Sequence, residues 1–246
     1  MTKPCATCHN KPMKNGYYKA ELLDRFINYL PTTNKIYCSA SSPTLTLDKL
    51  KPNTSIFYFA PKNREFTKPI QMRYSAYSKL ENSGVAKVNS KGETVVHLKF
   101  PQVYINEDDK KVYHRHFHFI YWDSKNNIWD KNLYTQKIIW NVNESFVKKN
   151  LKKAIIIDAL PLNHYNEKHI KGAYSLPYNK RWTEKDVEKI VGKNKLKPII
   201  VYCWNKKCDA AEKVCIRLNK MGYYNLVHYE NGICEWSGPV ESFIQK

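Results

Sequence analysis

The sequence lacks a long hydrophobic run, since no stretch approaches the ~20 consecutive apolar residues that a membrane-spanning helix needs. Its first residues, Met1 to Cys5, also lack the apolar core of a secretory signal. We therefore expect a soluble protein that has no membrane partner and lies in a reducing, cytoplasmic compartment. Seven scattered cysteines fit free thiols there better than a disulfide framework, which would be shorter and denser in cysteine.

Acidic residues are few, because 22 Asp and Glu accompany 41 Lys and Arg, which gives a net charge of +19. Such an excess can mark a nucleic-acid groove. The basic residues are nevertheless spread along the chain, and no run of five or six occurs. Lys, Asn, Ile and Tyr are residues that AT-rich codons favour, as in some large DNA viruses and AT-biased microbes. Codon bias and solubility therefore explain the charge better than a groove, and we expect no nucleic-acid partner.

The pattern of residues 1–142 predicts a β-rich domain that follows a short cysteine-containing and helical segment. Apolar residues at helical spacing predict a helix from Tyr17 to Leu30. Six later segments separated by Asn, Gly and Asp turns predict strands: Ser55–Phe59, Ile70–Tyr77, Gly84–Val88, Thr94–Phe100, Val112–Trp122 and Tyr134–Val142. No helix is expected within this run. An antiparallel sandwich or barrel is the natural closure of such strands.

Residues 143–246 show a different pattern, in which short apolar strands alternate with helices. Continuous apolar runs predict buried strands at 154–158, 198–203 and 225–229. Helices are expected from Asn143 or Ser145 to about Lys153, at 183–191 and at 209–221. This alternation predicts an α/β domain with an open parallel sheet and helices on both faces.

Cys203 stands where a buried strand ends and a helix is about to begin, at the sheet edge where ligands bind. The connection is short and must curl: it contains Trp204, Asn205, Lys206, Lys207 and Cys208. Its N–H groups can then surround the sulfur, with help from the next helix N-terminus and from the two lysines. Such surroundings lower the pKa of a thiol and favour the thiolate. The alternative from the loop alone is a buried cysteine that only ends a strand.

Several linked motifs resemble a rhodanese-like domain over roughly residues 145–240. They are Asp158-Ala159-Leu160, His164-Tyr165, His169 to Ala173, Leu176-Pro177, Val201-Tyr202-Cys203, Gly222 to Asn225 and Tyr229 to Trp236. The resemblance implies a sulfurtransferase that needs no cofactor. Cys203 would attack the outer sulfur of thiosulfate or of a persulfide donor, hold a persulfide, and pass the sulfur to a thiol or another acceptor. Asp158 would support the first loop through backbone hydrogen bonds.

Three positions depart from the common pattern of that family. Leu160 stands where many members have Arg, Lys206 replaces a loop Gly, and Cys208 replaces a loop Arg. These departures keep open a catalytically silent docking or structural module. Cys208 raises another alternative, in which it resolves the persulfide or the oxidised Cys203 as an internal disulfide and so forms a redox switch. Otherwise, Cys208 is a small residue packed under the loop.

The first half carries two candidate sites for Zn or another transition metal. His114, His116 and His118 alternate on a predicted strand and share one face, so they could bind one ion. The alternative is a polar sheet face outside an aromatic core. His116-Phe117-His118 is also similar to ligand strands of carbonic anhydrases and intradiol dioxygenases. The second candidate contains Cys5, Cys8 and His9, which match a c-type haem attachment motif. With Cys38 as a fourth ligand, they could instead bind zinc. The preferred interpretation is a frayed terminus with incidental cysteines.

Overall fold

The chain forms two compact units in a computed structural model, which describes residues 22–23, 25–38, 43–68 and 70–243. One unit contains the chain up to Glu65 together with Ile70–Ile138, and the other contains a short segment from Phe66 together with residues from Ile139 onward. Within the described ranges, no helix combines the length and the apolarity that crossing a bilayer requires.

The first unit is built from antiparallel strands. They are β1 (Tyr37–Cys38), β2 (Thr44–Leu47), β3 (Ser55–Phe59), β4 (Ser83–Lys87), β5 (Thr94–His97), β6 (Tyr104–Ile105), β7 (Val112–Tyr113), β8 (His116–Asp123), β9 (Ile128–Trp129) and β10 (Tyr134–Lys137). The main sheet has the order β1-β4-β3-β8-β10, with β9 paired to β8; β2 pairs with β5, and β6 pairs with β7. The predicted antiparallel sheets are confirmed, whereas closure into a sandwich or barrel stays a prediction.

Two short helical pieces accompany these strands. Helical residues 22, 23, 25 and 26 lead into a 3-10 turn, Ile27–Tyr29, and the helix predicted from Tyr17 therefore lies partly outside the described residues. Helix α1 (Arg73–Tyr77) contradicts the strand predicted over 70–77. Its buried residues Arg73, Ala76 and Tyr77 are three and four positions apart, the spacing of one helix face. The strand prediction assumed instead that every second side chain is buried.

Strand β8 is buried on both faces. Phe117 and Phe119 are at most 1% exposed, while His116 and His118 are at most 4% exposed. Strands β3 and β10 pair with β8 along its two edges, and the ring of Tyr77 lies 5.6 Å from that of His118. The interpretation of the histidines as a polar outer face is therefore wrong, because the unit buries them beside its aromatic core.

The second unit alternates strands and helices. Its strands are β11 (Trp140–Val142), β12 (Ile155–Asp158), β13 (His169–Ile170), β14 (Tyr174–Ser175), β15 (Ile199–Tyr202), β16 (Leu226–Tyr229) and β17 (Val240–Glu241). Its helices are α2 (Glu144–Asn150), α3 (Leu162–Glu167), α4 (Glu184–Val191) and α5 (Ala210–Lys220), followed by a 3-10 turn at Ile233–Glu235. A parallel sheet has the order β11-β16-β15-β12-β14, and β13 pairs with β17.

Local sequence accounts for these elements. The side chains of β15 are all buried, as continuous apolar runs predict for central parallel strands. Asn143 caps α2 by accepting a hydrogen bond from the N–H of Phe146, and Thr183 forms a capping box with Asp186 at the start of α4. Gly222 takes a positive φ just after α5, where a side chain would be strained.

The segment 134–142, predicted as one strand, is two strands in two units. Strand β10 pairs with β8 of the first unit, whereas β11 pairs in parallel with β16 of the second unit. The units therefore divide between Ile138 and Ile139 rather than between residues 142 and 143. A continuous apolar pattern does not reveal that its two ends join different sheets.

Candidate active site at the end of strand β15

The loop after β15 curls back over the strand end and is held by a second loop. The N–H of Ile233 donates to the Cys203 carbonyl at 2.9 Å, and the N–H of Cys234 donates to the Trp204 carbonyl at 3.0 Å. Within the first loop, the N–H of Cys208 donates to the Asn205 carbonyl at 3.0 Å. These bonds fix the loop that the sequence predicted, and they keep it closed around the Cys203 sulfur.

Gly232 makes this docking possible. It has a φ of +66° and a ψ of −167°, a region that only glycine adopts readily. A Cβ at this position would lie 2.4 Å from the carbonyl oxygens of both Cys203 and Trp204. The contact between the two loops therefore depends on the absence of a side chain, a requirement that sequence analysis had not detected.

Cys203 and Cys208 form a coupled pair of thiols inside the loop. The buried Cys203 thiol donates a hydrogen bond to the Cys208 carbonyl oxygen at 3.2 Å, and it also interacts with the Cys208 side chain, which shifts the pKa of both thiols. Cys208 is only half-buried. The N–H groups of Trp204 and Ala211 face the Cys203 sulfur, and those of Trp204 and Ala210 face the Cys208 sulfur. These N–H groups lower the pKa of the two thiols, and an anion-binding cradle in this loop stays a prediction.

The position of the negative charge differs from the expectation. The hydrogen bond with Cys208 raises the pKa of Cys203, and burial raises it further, against the opposing effect of the two N–H donors. The same hydrogen bond lowers the pKa of Cys208 to about 6, and N–H donors reinforce the shift. These directions place the shared proton on the more buried sulfur of the resting pair, and ionisation of Cys203 for the reaction stays a prediction.

This arrangement predicts the pH at which the pair becomes reactive toward an alkylating agent. Because the pKa of Cys208 is lowered, its thiolate should persist well below the pH of an ordinary thiol, and iodoacetamide should label Cys208 near pH 6. In Cys203→Ala, the donor that stabilises this thiolate is lost, so the labelling profile should move to higher pH. An identical profile in both proteins, followed by mass spectrometry of the Cys208 peptide, would contradict the coupling.

The other predicted loop residues line the outer surface. Lys206 and Lys207 are exposed, and the Asn205 side chain accepts a hydrogen bond from the N–H of Lys207 at 3.0 Å, which shapes the turn. Trp204 is also exposed, and its ring centre lies 6.3 Å from that of His164. The loop thus presents a positive and aromatic surface above the thiol pair.

Asp158 supports the neighbouring strand end, as predicted. Its carboxylate accepts a hydrogen bond from the N–H of Leu160 at 2.8 Å, so it braces the loop after β12. Burial raises the pKa of Asp158 to about 6, although hydrogen bonds from Tyr202 and Leu160 oppose the shift. His169 likewise satisfies a buried polar contact, with Nδ1 2.7 Å from the Tyr165 carbonyl oxygen.

Comparison with known proteins identifies this unit. The family model that describes the rhodanese-like domain matches residues 144–239. Residues 144–239 are a rhodanese-like domain. The match leaves residues before 144 outside the family, and a search of curated proteins found no match. In family members the rhodanese-like domain carries sulfurtransferase activity, although many such domains are inactive.

Solved structures also show similarity to part of this chain. The BH2092 protein of Bacillus halodurans has 28% identity and a TM-score of 0.38, and the match covers 42% of this chain and 77% of that one. The Alr3790 protein of Anabaena sp. has 22% identity and a TM-score of 0.35, with coverages of 42% and 81%. The anaerobic ergothioneine biosynthesis enzyme of Chlorobium limicola has 21% identity and a TM-score of 0.33, with coverages of 37% and 24%.

The metal candidates of the first unit take a different arrangement from the one predicted. Among the described residues, no group of three or more His, Cys, Asp or Glu side chains is placed to hold a metal ion. His114 precedes β8 and offers its backbone carbonyl to the Nδ1 of His116. The three histidines therefore do not form a metal site by themselves. Cys38 is exposed on β1, and Cys5, Cys8 and His9 lie outside the described residues.

Proposed function

We propose that the rhodanese-like domain is a sulfurtransferase that carries a sulfane sulfur as a persulfide on Cys203. The observation that supports this most directly is the closed loop, whose N–H groups from Trp204 and Ala211 face the Cys203 sulfur. The same donors suit the negative terminal sulfur of a persulfide, in the way that an oxyanion hole suits an oxyanion. A covalent intermediate of this kind divides one difficult transfer into two easier steps.

The thiol pair supports a defined first step. As Cys203 attacks the outer sulfur of thiosulfate, its proton passes along the hydrogen bond to the Cys208 thiolate. The sulfur–sulfur bond of thiosulfate breaks, and sulfite leaves with the electron pair. With a persulfide donor, the corresponding thiolate leaves instead. An acceptor thiol then attacks the outer sulfur and releases Cys203.

The outer surface of the loop suits an anionic donor. Lys206 and Lys207 are exposed beside the thiol pair, and the chain carries a net charge of +19. Positive potential of this kind raises the local concentration of an anionic substrate and screens its approach to a thiolate. Thiosulfate and low-molecular-weight persulfides are therefore the proposed donors, and a thiol is the proposed acceptor.

The test is turnover with each donor class and with cyanide or a thiol as acceptor. The proposal expects the wild-type chain to consume thiosulfate or a persulfide, with release of sulfite or thiol that depends on Cys203. A chain that folds normally and turns over neither donor would contradict it. That outcome would favour the silent docking module, which the burial of Cys203 and the presence of Leu160 in place of Arg already favour in part.

Cys208 is proposed to resolve the persulfide when no acceptor is present. The Cys208 sulfur attacks the Cys203 sulfur, the bond to the outer sulfur breaks, and the outer sulfur leaves as hydrosulfide with the proton that Cys208 took up in the first step. The product is a Cys203–Cys208 disulfide, which an external thiol must reduce. The hydrogen bond between the two side chains supports this step because it brings the nucleophile to its target.

Cys208→Ser should therefore prolong the life of the persulfide. After loading with a donor and desalting, we expect the wild-type chain to release hydrosulfide and the variant to retain its persulfide at least ~10-fold longer. Cys234→Ser is the control, since Cys234 has an exposed side chain. Equal hydrosulfide release from wild type and Cys208→Ser, without a Cys203–Cys208 disulfide in the wild type, would leave Cys208 as a packing residue.

A further inference from the structure

Four buried side chains lie close together inside the first unit, outside the rhodanese-like domain. They are Tyr77 at the end of α1, Tyr104 on β6, and His116 and His118 on β8. The hydroxyl oxygens of Tyr77 and Tyr104 lie 3.0 and 3.2 Å from the Nε2 of His116. The four residues are between 0 and 4% exposed, so water does not surround these polar groups.

The hydrogen bond of His116 leaves its Nε2 atom with a free lone pair on the ring, and the Nε2 of His118 has no hydrogen-bond partner. The Nδ1 of His116 lies 2.6 Å from the His114 carbonyl oxygen, which can only accept, so Nδ1 carries the ring proton. The Nδ1 of His118 lies 2.9 Å from the Thr135 hydroxyl, while its Nε2 is buried and has no hydrogen-bond partner. An anchored Nδ1 and an available Nε2 are typical of metal-binding histidines.

A hydrogen-bond cluster accounts for His116 and the two tyrosines but leaves His118 unexplained. The Tyr77 and Tyr104 hydroxyls hydrogen-bond each other, so one of them can donate to the single lone pair of the His116 Nε2. The Nε2 of His118 remains unsatisfied, which costs about 1–3 kcal/mol for a buried polar group.

The spacing around the His116 Nε2 matches that of ligands around one ion, whereas the His118 Nε2 has no hydrogen-bond partner among these groups and would move closer on binding. Ligand atoms bound at ~2.0–2.1 Å lie about 3.0–3.4 Å from each other, and two imidazoles bound through Nε2 have ring centres about 5 Å apart. The phenol oxygens are 3.0 and 3.2 Å from the His116 Nε2, and the ring centres of His116 and His118 are 4.8 Å apart. Tyr77 also lies close to His118, with ring centres 5.6 Å apart.

We propose that Tyr77, Tyr104, His116 and His118 bind one first-row transition-metal ion through two phenolate oxygens and two imidazole nitrogens. Imidazole suits iron, copper and zinc, and an anionic phenolate oxygen favours Fe(III) or Cu(II) among them. Binding releases the two phenol protons to solvent, and the phenolates compensate the charge of the buried ion. This site replaces the three-histidine arrangement that the sequence suggested, because tyrosines from two other elements complete the ligand set.

The test uses the full-length chain without a histidine tag and with Cys5→Ser and Cys8→Ser, so that the N-terminal thiols cannot retain metal. The protein is incubated with Fe(III), Cu(II) or Zn(II), desalted, and analysed for metal content and visible absorption. We expect about one ion per chain and a phenolate-to-metal charge-transfer band with Fe(III) or Cu(II). Tyr104→Phe and Tyr77→Phe keep the ring and remove one ligand atom, so each should weaken binding at least ~10-fold and weaken the band.

Tyr113→Phe is the matched control, because the ring of Tyr113 stacks on that of Tyr104 at 5.5 Å but is not a proposed ligand. It should retain the ion and the band. Hydrogen–deuterium exchange of strand β8 checks that each variant is folded. Failure of the wild-type chain to retain any of the three ions would overturn the proposal, and so would retention that is unchanged in both tyrosine variants.

Discussion

Cys203→Ser is expected to abolish sulfur transfer, with a loss of at least ~10³-fold in turnover for every donor that the wild-type chain uses. A serine hydroxyl can accept the N–H groups of Trp204 and Ala211, but it cannot form a persulfide. The substitution therefore removes the covalent step and leaves the loop geometry in place. Turnover of both proteins is measured as release of sulfite or thiol under saturating donor, and the unfolding free energy of both is measured in parallel.

Cys234→Ser is the matched control for this substitution. Its side chain is exposed, although its N–H holds the Trp204 carbonyl in the same loop contact. Removing this thiol should leave turnover unchanged, because no step of the proposed transfer uses it. Equal turnover in Cys203→Ser and wild type would place the chemistry elsewhere in the chain.

Gly232→Ala is expected to damage both the stability and the activity of the rhodanese-like domain. The new Cβ would lie 2.4 Å from the carbonyl oxygens of Cys203 and Trp204, and the backbone conformation at Gly232 is itself strained for other residues. Strain of this kind costs ~1–3 kcal/mol, and relief of the overlap must move the loop. We expect a loss of about 3 kcal/mol or more in unfolding free energy and a loss of ~10–100-fold in turnover.

Gly222→Ala separates backbone strain from the contact between the loops. Gly222 also has a positive φ, +84°, but a Cβ there would meet nothing within 4 Å. The substitution should lower the unfolding free energy by about 1–2 kcal/mol, the usual penalty for a non-glycine residue in the left-handed region. It should have little effect on turnover in the folded protein. Urea unfolding and sulfur-transfer assays of both variants provide the comparison. Similar turnover losses at the two glycines would contradict the role assigned to the loop contact.

The parallel sheet was predictable because its central strands are continuous apolar runs and its helices carry recognisable caps. Strand β15 and the helix α5 that follows it come directly from that pattern, so the position of Cys203 at a strand end followed as well. The first unit was less predictable. Helix α1 has only five residues and carries aromatic side chains that also suit strands. Its hydrophobic pattern was therefore interpreted as the two-residue repeat of a strand.

The site was predictable in outline but not in its electrostatics. The sequence placed Cys203 and Cys208 in one short loop, yet the proton distribution depends on which sulfur is more buried and on which N–H groups each one faces. Those properties come from packing around the folded loop. The contact at Gly232 depends on a second loop about thirty residues along the chain, and single-sequence patterns carry no information about that approach.

The most direct test of the account is the location of the extra sulfur after one turnover. The wild-type chain is loaded with thiosulfate or a persulfide donor, alkylated and digested with trypsin. Cleavage after Lys206 and Lys207 separates the peptide of Cys203 from that of Cys208. We predict the mass of one additional sulfur on the Cys203 peptide. An additional sulfur confined to another cysteine, or neither an additional sulfur nor a Cys203–Cys208 disulfide with any donor, would contradict the proposed function.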